Sequence, residues 1–300
     1  MKNIILLLIA FAFISVAHIS AQKKDANQKN SFKVSELEKL AGGFAFTEGP
    51  AVDAKGDVYF TDIQKHQILI WTMGNQLDTF RINTGRANGL YFDKEQNLLV
   101  CEGEKGRITS ISPTGECKII AAKYNGTRFN QPNDIWPDGK GGAYFTDPKY
   151  GPDENQLPQD GMHVYYINPS HTSVIRVCDD LEKPNGIIGT PDGRTIYITD
   201  AGAGKTYRYN IQEDGSLTDK ALFVNVGCDG MTIDKDGNVY LTTSGKRAVD
   251  IFSSEGELLE SIAVPEEPAN VCFSGKDRHQ LFITARTSIY RIKLTAEGVD

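Results

Sequence analysis

The 300-residue chain reads as an all-β fold, a six-bladed β-propeller closed by an N-terminal strand. Three observations predict it. A short motif recurs six times, the recurrences are spaced 40 to 52 residues apart, and no helical periodicity of useful length appears after residue 40. Repeats of one supersecondary unit at that spacing are the signature of propeller blades.

The clearest copy is RFNQPNDIWPDGKGGAYFTDPKYG, Arg128 to Gly151. A polar pair, Asn133-Asp134, precedes a short apolar run; an Asp-Gly turn follows at Asp138-Gly139, and an alternating aromatic strand ends on Asp147. That order of signals is a β-hairpin. The same template fits EGPAVDAKGDVYFTD from Glu48, NGLYFDKEQNLLVCE from Asn88, NGIIGTPDGRTIYITD from Asn185, DGMTIDKDGNVYLTT from Asp229 and NVCFSGKDRHQLFITA from Asn270. No linker or shift of composition divides residues 32–300, so they are read as one domain.

Each unit should supply four antiparallel strands. In the first they are expected at Ala51 to Asp53, Val58 to Thr61, Gln67 to Thr72 and Gln76 to Arg81. The sixth unit runs out after its third strand, Ser288 to Leu294, and the unassigned segment Phe32 to Leu40 is the candidate to complete it. SELEKL within that segment also allows a short helix. Pairing it with the last unit closes the ring and removes the open edges.

Strand direction decides where chemistry sits. With strand one innermost, the first residue of every template falls at one mouth of the central channel. These residues are Glu48, Asn88, Asn133, Asn185, Asp229 and Asn270, each an acid or an amide. Any one of them is explained by turn chemistry, since Asn and Asp bond nearby backbone. Six converging on one axis point to a site, because carboxylates facing each other across a channel repel unless a cation joins them. Two charged oxygens with neutral amide carbonyls suit a hard ion such as Ca²⁺ or Mg²⁺.

The motifs FTEGP at Glu48, RFNQPND at Asn133, PNG at Asn185 and CDGMTIDKDGNVYLTT at Asp229 resemble the SMP-30/gluconolactonase/LRE-like family from about Phe44 to Leu294. The resemblance implies a six-bladed propeller with one divalent metal ion in its channel, held here by Glu48, Asn133, Asn185 and Asp229. The ion expected is Ca²⁺, with Mg²⁺, Mn²⁺ and Zn²⁺ as alternatives. The animal branch of the family reads substrate with an Arg and an Asn shortly before its second ligand. Arg128 and Asn130 have those identities, although Gln131-Pro132 intervene. Asn88 and Asn270, the remaining ring members, are expected to face substrate. The loop after Asp147, DPKYGPDENQLPQDGMHVYYI, looks like that of bacterial gluconolactonases and should open on the ring face as a wall or lid, or else as an acidic surface loop.

The implied reaction is opening of a sugar lactone, with the cation polarising the carbonyl and Asp229 as base toward water or as nucleophile. The near variant is hydrolysis of another ester or phosphoester. The contrasting class is a non-catalytic propeller that binds a ligand or protein, its metal structural. Other chemistries lack their residues: none of His66, His163, His171 or His279 is a ring position, and no Ser sits in a G-x-S-x-G elbow. Asp62, Glu102, Asp147 and Asp200, at the ends of second strands, are read as turn caps, with hydrogen-bonding to the metal ligands, or a second cation near Asp147, as the alternatives.

Residues 1–21 carry Lys2, an apolar run from Ile4 to Ala17 and a small residue at Ala21, the pattern of a cleaved signal peptide. Residues 22–31 read as a disordered leader, and the protein as secreted or periplasmic. The net charge is −7 with no basic cluster, which argues against nucleic acid or an anionic membrane as partner. Five cysteines without framework spacing are expected to be buried free thiols, with a Cys101–Cys117 pair as the alternative.

Overall fold

The computed structural model describes residues 32–299. The expected signal peptide and leader therefore lie outside the described residues. Every regular element among those described is a β-strand, as the repeat predicts. The first-repeat strands fall at Glu38–Val52, Val58–Asp62, Gln67–Trp71 and Leu77–Ile82, within a residue or two of expectation at their shared ends.

Repeats two to five each form a four-stranded antiparallel sheet, ordered as in sequence. Repeats one and six depart from the expected six separate blades, because they share one six-stranded sheet. The six repeats thus occupy five main sheets in a propeller-like arrangement, with a small hairpin of Lys123–Tyr124 against Thr127–Arg128 beside them. The reason lies in two long strands. Gln280–Lys293 pairs with Asn270–Ser274 through its first half and with Glu38 to Gly42 through its second. Glu38–Val52 in turn continues into the first repeat, where Thr47 to Val52 pairs with Val58–Asp62. The N-terminal segment therefore does join the last repeat, as a strand from Glu38 with an isolated bridge from Lys33 to Leu294.

A threonine near the end of strand two builds the channel in five of the six repeats: Thr61, Thr146, Thr199, Thr242 and Thr284, all fully buried. Its hydroxyl ties inner strands together. Thr61 Oγ1 donates to the Asn88 carbonyl of the next repeat, Thr242 Oγ1 donates to Ala269 O, and Thr199 Oγ1 accepts the Cys228 N–H. In the second repeat the position is the buried Cys101. Each satisfied buried hydrogen bond adds about 1 kcal/mol, so these contacts locate the inner strands more than they drive folding.

Burial of second-strand side chains does the driving. Phe60, Phe145, Tyr144, Tyr240 and Phe282 lie between neighbouring sheets with almost no exposure, each contributing about 2 to 3 kcal/mol by removal of apolar surface from water. All five cysteines are free, and four are buried; Cys117 is exposed, which corrects the expectation for that residue.

The turn-cap reading of the strand-two acids holds for three of them. Asp62 accepts the N–H groups of Ala45 and Phe46, Asp147 those of Asn130 and Gln131, and Asp200 those of Glu182 and Lys183. Asp147 accepts one N–H on each oxygen and so ties the two segments together. Glu102 instead bonds Arg107 and Thr109.

Glu266, ahead of the sixth repeat, shows how a carboxylate stabilises this junction. Burial pushes its carboxyl up, but the hydroxyls of Ser288, Thr287 and Tyr290 outweigh it and bring the pKa to about 2. A carboxyl lowered on folding stabilises the fold above its unfolded pKa, and that contribution disappears as pH falls from about 4.5 toward 2. We expect Glu266→Gln to remove about 1 kcal/mol at pH 7, after allowance for partial exposure, and to flatten the acid limb of a melting-temperature profile between pH 5 and pH 2.

Candidate metal and catalytic centre

The inner strands approach one another because glycine follows the ring residue in four repeats. A Cβ on Gly49 would lie 2.1 Å from the Asn88 carbonyl oxygen, one on Gly89 would lie 2.5 Å from that of Asn133, and one on Gly186 2.9 Å from that of Asp229. No side chain fits at these contacts, so the backbones close in and the ring residues converge.

Glu48, Asn133, Asn185 and Asn270 are buried, while Asn88 and Asp229 are partly open. Asn185 Nδ2 donates to Asp229 Oδ1 at 2.6 Å and to the Tyr150 hydroxyl at 2.6 Å. Those two bonds consume the amide's donor end and leave Asn185 Oδ1 buried with no hydrogen-bond partner. Glu48 Oε2 accepts the Gly49 N–H at 3.0 Å, and Glu48 lies within hydrogen-bonding reach of both Asp229 and Asn270.

Electrostatics at the ring are unfavourable for anions. Burial first, then the charge of Asp229 and that of Asp134, hold the Glu48 carboxyl well above the usual range. Asp229 is raised as well, chiefly by burial, with Asn185 and Arg286 pulling the other way. A set of buried acids with an orphaned amide oxygen fits a hard divalent cation, which would be held by Glu48, Asn133, Asn185 and Asp229. Among the described residues no three His, Cys, Asp or Glu side chains form a metal-ligating cluster.

Two expected substrate residues point elsewhere. Asn130 Nδ2 donates to the carbonyls of Asp147 and Gly161, and its Oδ1 accepts the Gln159 N–H. Arg128 Nη2 donates to the Glu104 carbonyl and its Nε to that of Phe129. Asn130 thus fastens the loop that follows Asp147, and Arg128 packs over Gly106. The two intervening residues, Gln131-Pro132, have moved these side chains off the ring. Asn270 does reach the ring, but as a partner of Glu48 and Asp134 deep in the channel.

The sequence model of the SMP-30/Gluconolactonase/LRE-like region matches residues 46–287. The chain belongs to that family. It is 27% identical over 296 residues to a gluconolactonase of Zymomonas mobilis, covering 87% of this chain and 82% of the other. A solved gluconolactonase from Xanthomonas campestris superposes with a TM-score of 0.80 at 28% identity, covering 86% of this chain and 89% of that one. Regucalcin from Agrobacterium tumefaciens, described as a calcium-binding protein, shares the fold with a TM-score of 0.73 at 18% identity, over 88% and 95% of the two chains.

Within the family region, two further residues join the site. Asp134 is buried behind Asn133, accepts the Ile135 and Ile187 N–H groups, and is raised to about 7, mainly by burial. It stands where four other repeats have glycine, a signal present in the sequence. Tyr150 belongs to the loop between Ala143–Asp147 and His163–Ile167, which lies over the ring as expected. Lys183 helps to hold the loop, with its Nζ 2.8 Å from Glu154 and 5.0 Å from the centre of the Tyr150 ring.

By accepting from Asn185 Nδ2, Tyr150 holds the donor end of that amide and leaves its oxygen without a hydrogen bond. Partners that orient a ligand in this way typically account for 10- to 100-fold in metal affinity. Tyr150→Phe should weaken Ca²⁺ binding about tenfold in a calorimetric titration while leaving the melting temperature of the ion-free protein unchanged.

Proposed function

We propose that this protein is a metal-dependent hydrolase that opens sugar lactones, with Ca²⁺ as the ion. One observation carries the reading: the orphaned Asn185 Oδ1 set among the desolvated carboxylates of Glu48 and Asp229. Kinship with gluconolactonases supports lactones as the substrate class.

When bound, a divalent ion polarises the substrate carbonyl as a Lewis acid. The chain's own residues do the rest. Asp229, open to a cavity of about 620 Å³ at the ring mouth, takes a proton from attacking water or attacks the carbonyl itself. The ring C–O bond breaks, water adds across it, and the product is the open hydroxy acid with one proton released. Asn185 holds the Asp229 carboxylate in place, and Tyr150 with its loop covers one side of the mouth. The six-stranded sheet acts as two blades, divided where Glu38–Val52 shifts register between Gly42 and Thr47 and where Arg286 turns to a φ of 48°. We also propose that the protein is exported.

The test is a pH-stat assay on glucono-1,5-lactone and a small panel of other lactones in Ca²⁺. Turnover well above spontaneous opening is expected. No turnover on any of them would favour a binding propeller with a structural ion.

A further inference from the structure

Resting on the lactonase reading, we propose that Arg247 and Arg286 form an anion-reading arm at the ring mouth, selecting lactones that carry a carboxylate or phosphate at the end remote from the metal ring. Both arginines line the 620 Å³ cavity that Asp229 opens into. Its other charged residues are Glu266 and Glu267. Glu266 is committed to the hydroxyls of Ser288, Thr287 and Tyr290, and Glu267 to the Gly245 N–H. Neither guanidinium has an ion-pair partner among the described residues. The Arg286 guanidinium rests 5.2 Å from the centre of the Phe46 ring, which positions the charge without neutralising it.

Backbone conformation decides how the pair can be tested. Positive φ recurs after strand two at His66, Gly106, Gly204 and Arg247 in repeats one, two, four and five, with φ of 53°, 59°, 66° and 51°, and at Arg286 in repeat six, with φ of 48°, inside the long strand Gln280–Lys293. Glycine takes this conformation without strain, and repeats two and four use it. Repeats five and six place arginine there, as repeat one places His66, and both arginines line the cavity beside Asp229. Positive φ is shared by eleven non-glycine residues among those described, so it makes glycine a mild replacement at these two positions. A cation in the ring balances Glu48 and Asp229, which leaves the two guanidinia facing the substrate's far end. Guanidinium binds carboxylate and phosphate through paired charge-assisted hydrogen bonds.

The experiment compares ligands that differ only at that far end. In Ca²⁺, calorimetric titration of D-gluconate, D-glucarate and 6-phospho-D-gluconate is run alongside kcat/KM for glucono-1,4-lactone and glucaro-1,4-lactone. The wild type and the Arg247→Gly/Arg286→Gly double variant are measured in parallel. Glycine suits both positions, so the variant should melt no lower than the wild type. The wild type is expected to bind glucarate or phosphogluconate about tenfold more tightly than gluconate, and to show a similar preference for the acidic lactone. The double variant should lose both preferences, mainly through KM, and whichever ligand binds more tightly identifies the group. Equal binding of all three acids by the wild type, or a preference that survives in the variant, overturns the arm. Anion selectivity without turnover of any lactone upholds the arm and overturns the lactonase reading; turnover without selectivity does the reverse.

Discussion

Asp229→Asn should lower kcat for lactone opening by about 10³-fold, within the span measured when a general base or nucleophile is removed. The substitution keeps shape and keeps an oxygen able to accept the 2.6 Å bond from Asn185 Nδ2. What it removes is the group that accepts a proton or attacks, together with one negative charge. Ion affinity should therefore fall yet remain measurable, and kcat is to be read at saturating Ca²⁺ with occupancy checked by calorimetry. Turnover near the wild-type value with the ion bound would take Asp229 out of the chemistry. The charge would then serve only the ion, and Glu48 or Asp134 would become the candidate base.

Gly49→Ala should be the most damaging small substitution near the ring. Gly49 has a φ of 43°, and its added methyl would meet the Asn88 carbonyl oxygen at 2.1 Å and the Gly89 Cα at 2.7 Å. Those atoms are backbone of the adjoining repeat, so no side chain can swing away to make room. The expected cost is about 3 kcal/mol or more, from overpacking added to left-handed strain. In a chain of this size that corresponds to a melting temperature lower by about 6 to 12 °C. Gly43→Ala is the matched control, with a φ of 88° and nothing within 4 Å of the new carbon. It should cost only about 1 kcal/mol. Equal losses in the two variants would mean that close approach of the inner strands does not hold the ring together.

The ring was legible in the sequence because it repeats. Turn chemistry explains any single Asn or Asp, whereas Glu48, Asn133, Asn185 and Asp229 stood at the same place in one template, and strand direction put that place at one channel mouth. Asp134 was harder to see, since beside Asn133 it reads as half of a turn pair; its position against Gly49, Gly89, Gly186 and Gly230 was the available clue. For Arg128 and Asn130 the intervening Gln131-Pro132 was the visible warning, and in the structure both side chains bond loop carbonyls. The joining of repeats one and six into one sheet was hidden for a different reason. Nothing local in SELEKLAGGFAFTEGPAV marks where one sheet ends, and the strand passes through both repeats. Arg247 and Arg286 could not be found from the sequence, because their meeting in one cavity beside Asp229 appears only once the sheets are built.

The account rests on a divalent ion being needed at the ring for lactone opening. The most direct test is to strip the protein with a chelator, measure glucono-1,5-lactone hydrolysis and melting temperature, and repeat both after restoring Ca²⁺, Mg²⁺, Mn²⁺ or Zn²⁺ singly. Turnover should fall to the spontaneous rate on stripping and return with Ca²⁺, and the melting temperature should rise with ion concentration as mass action requires. Undiminished hydrolysis by protein shown to be free of divalent metal would contradict the account.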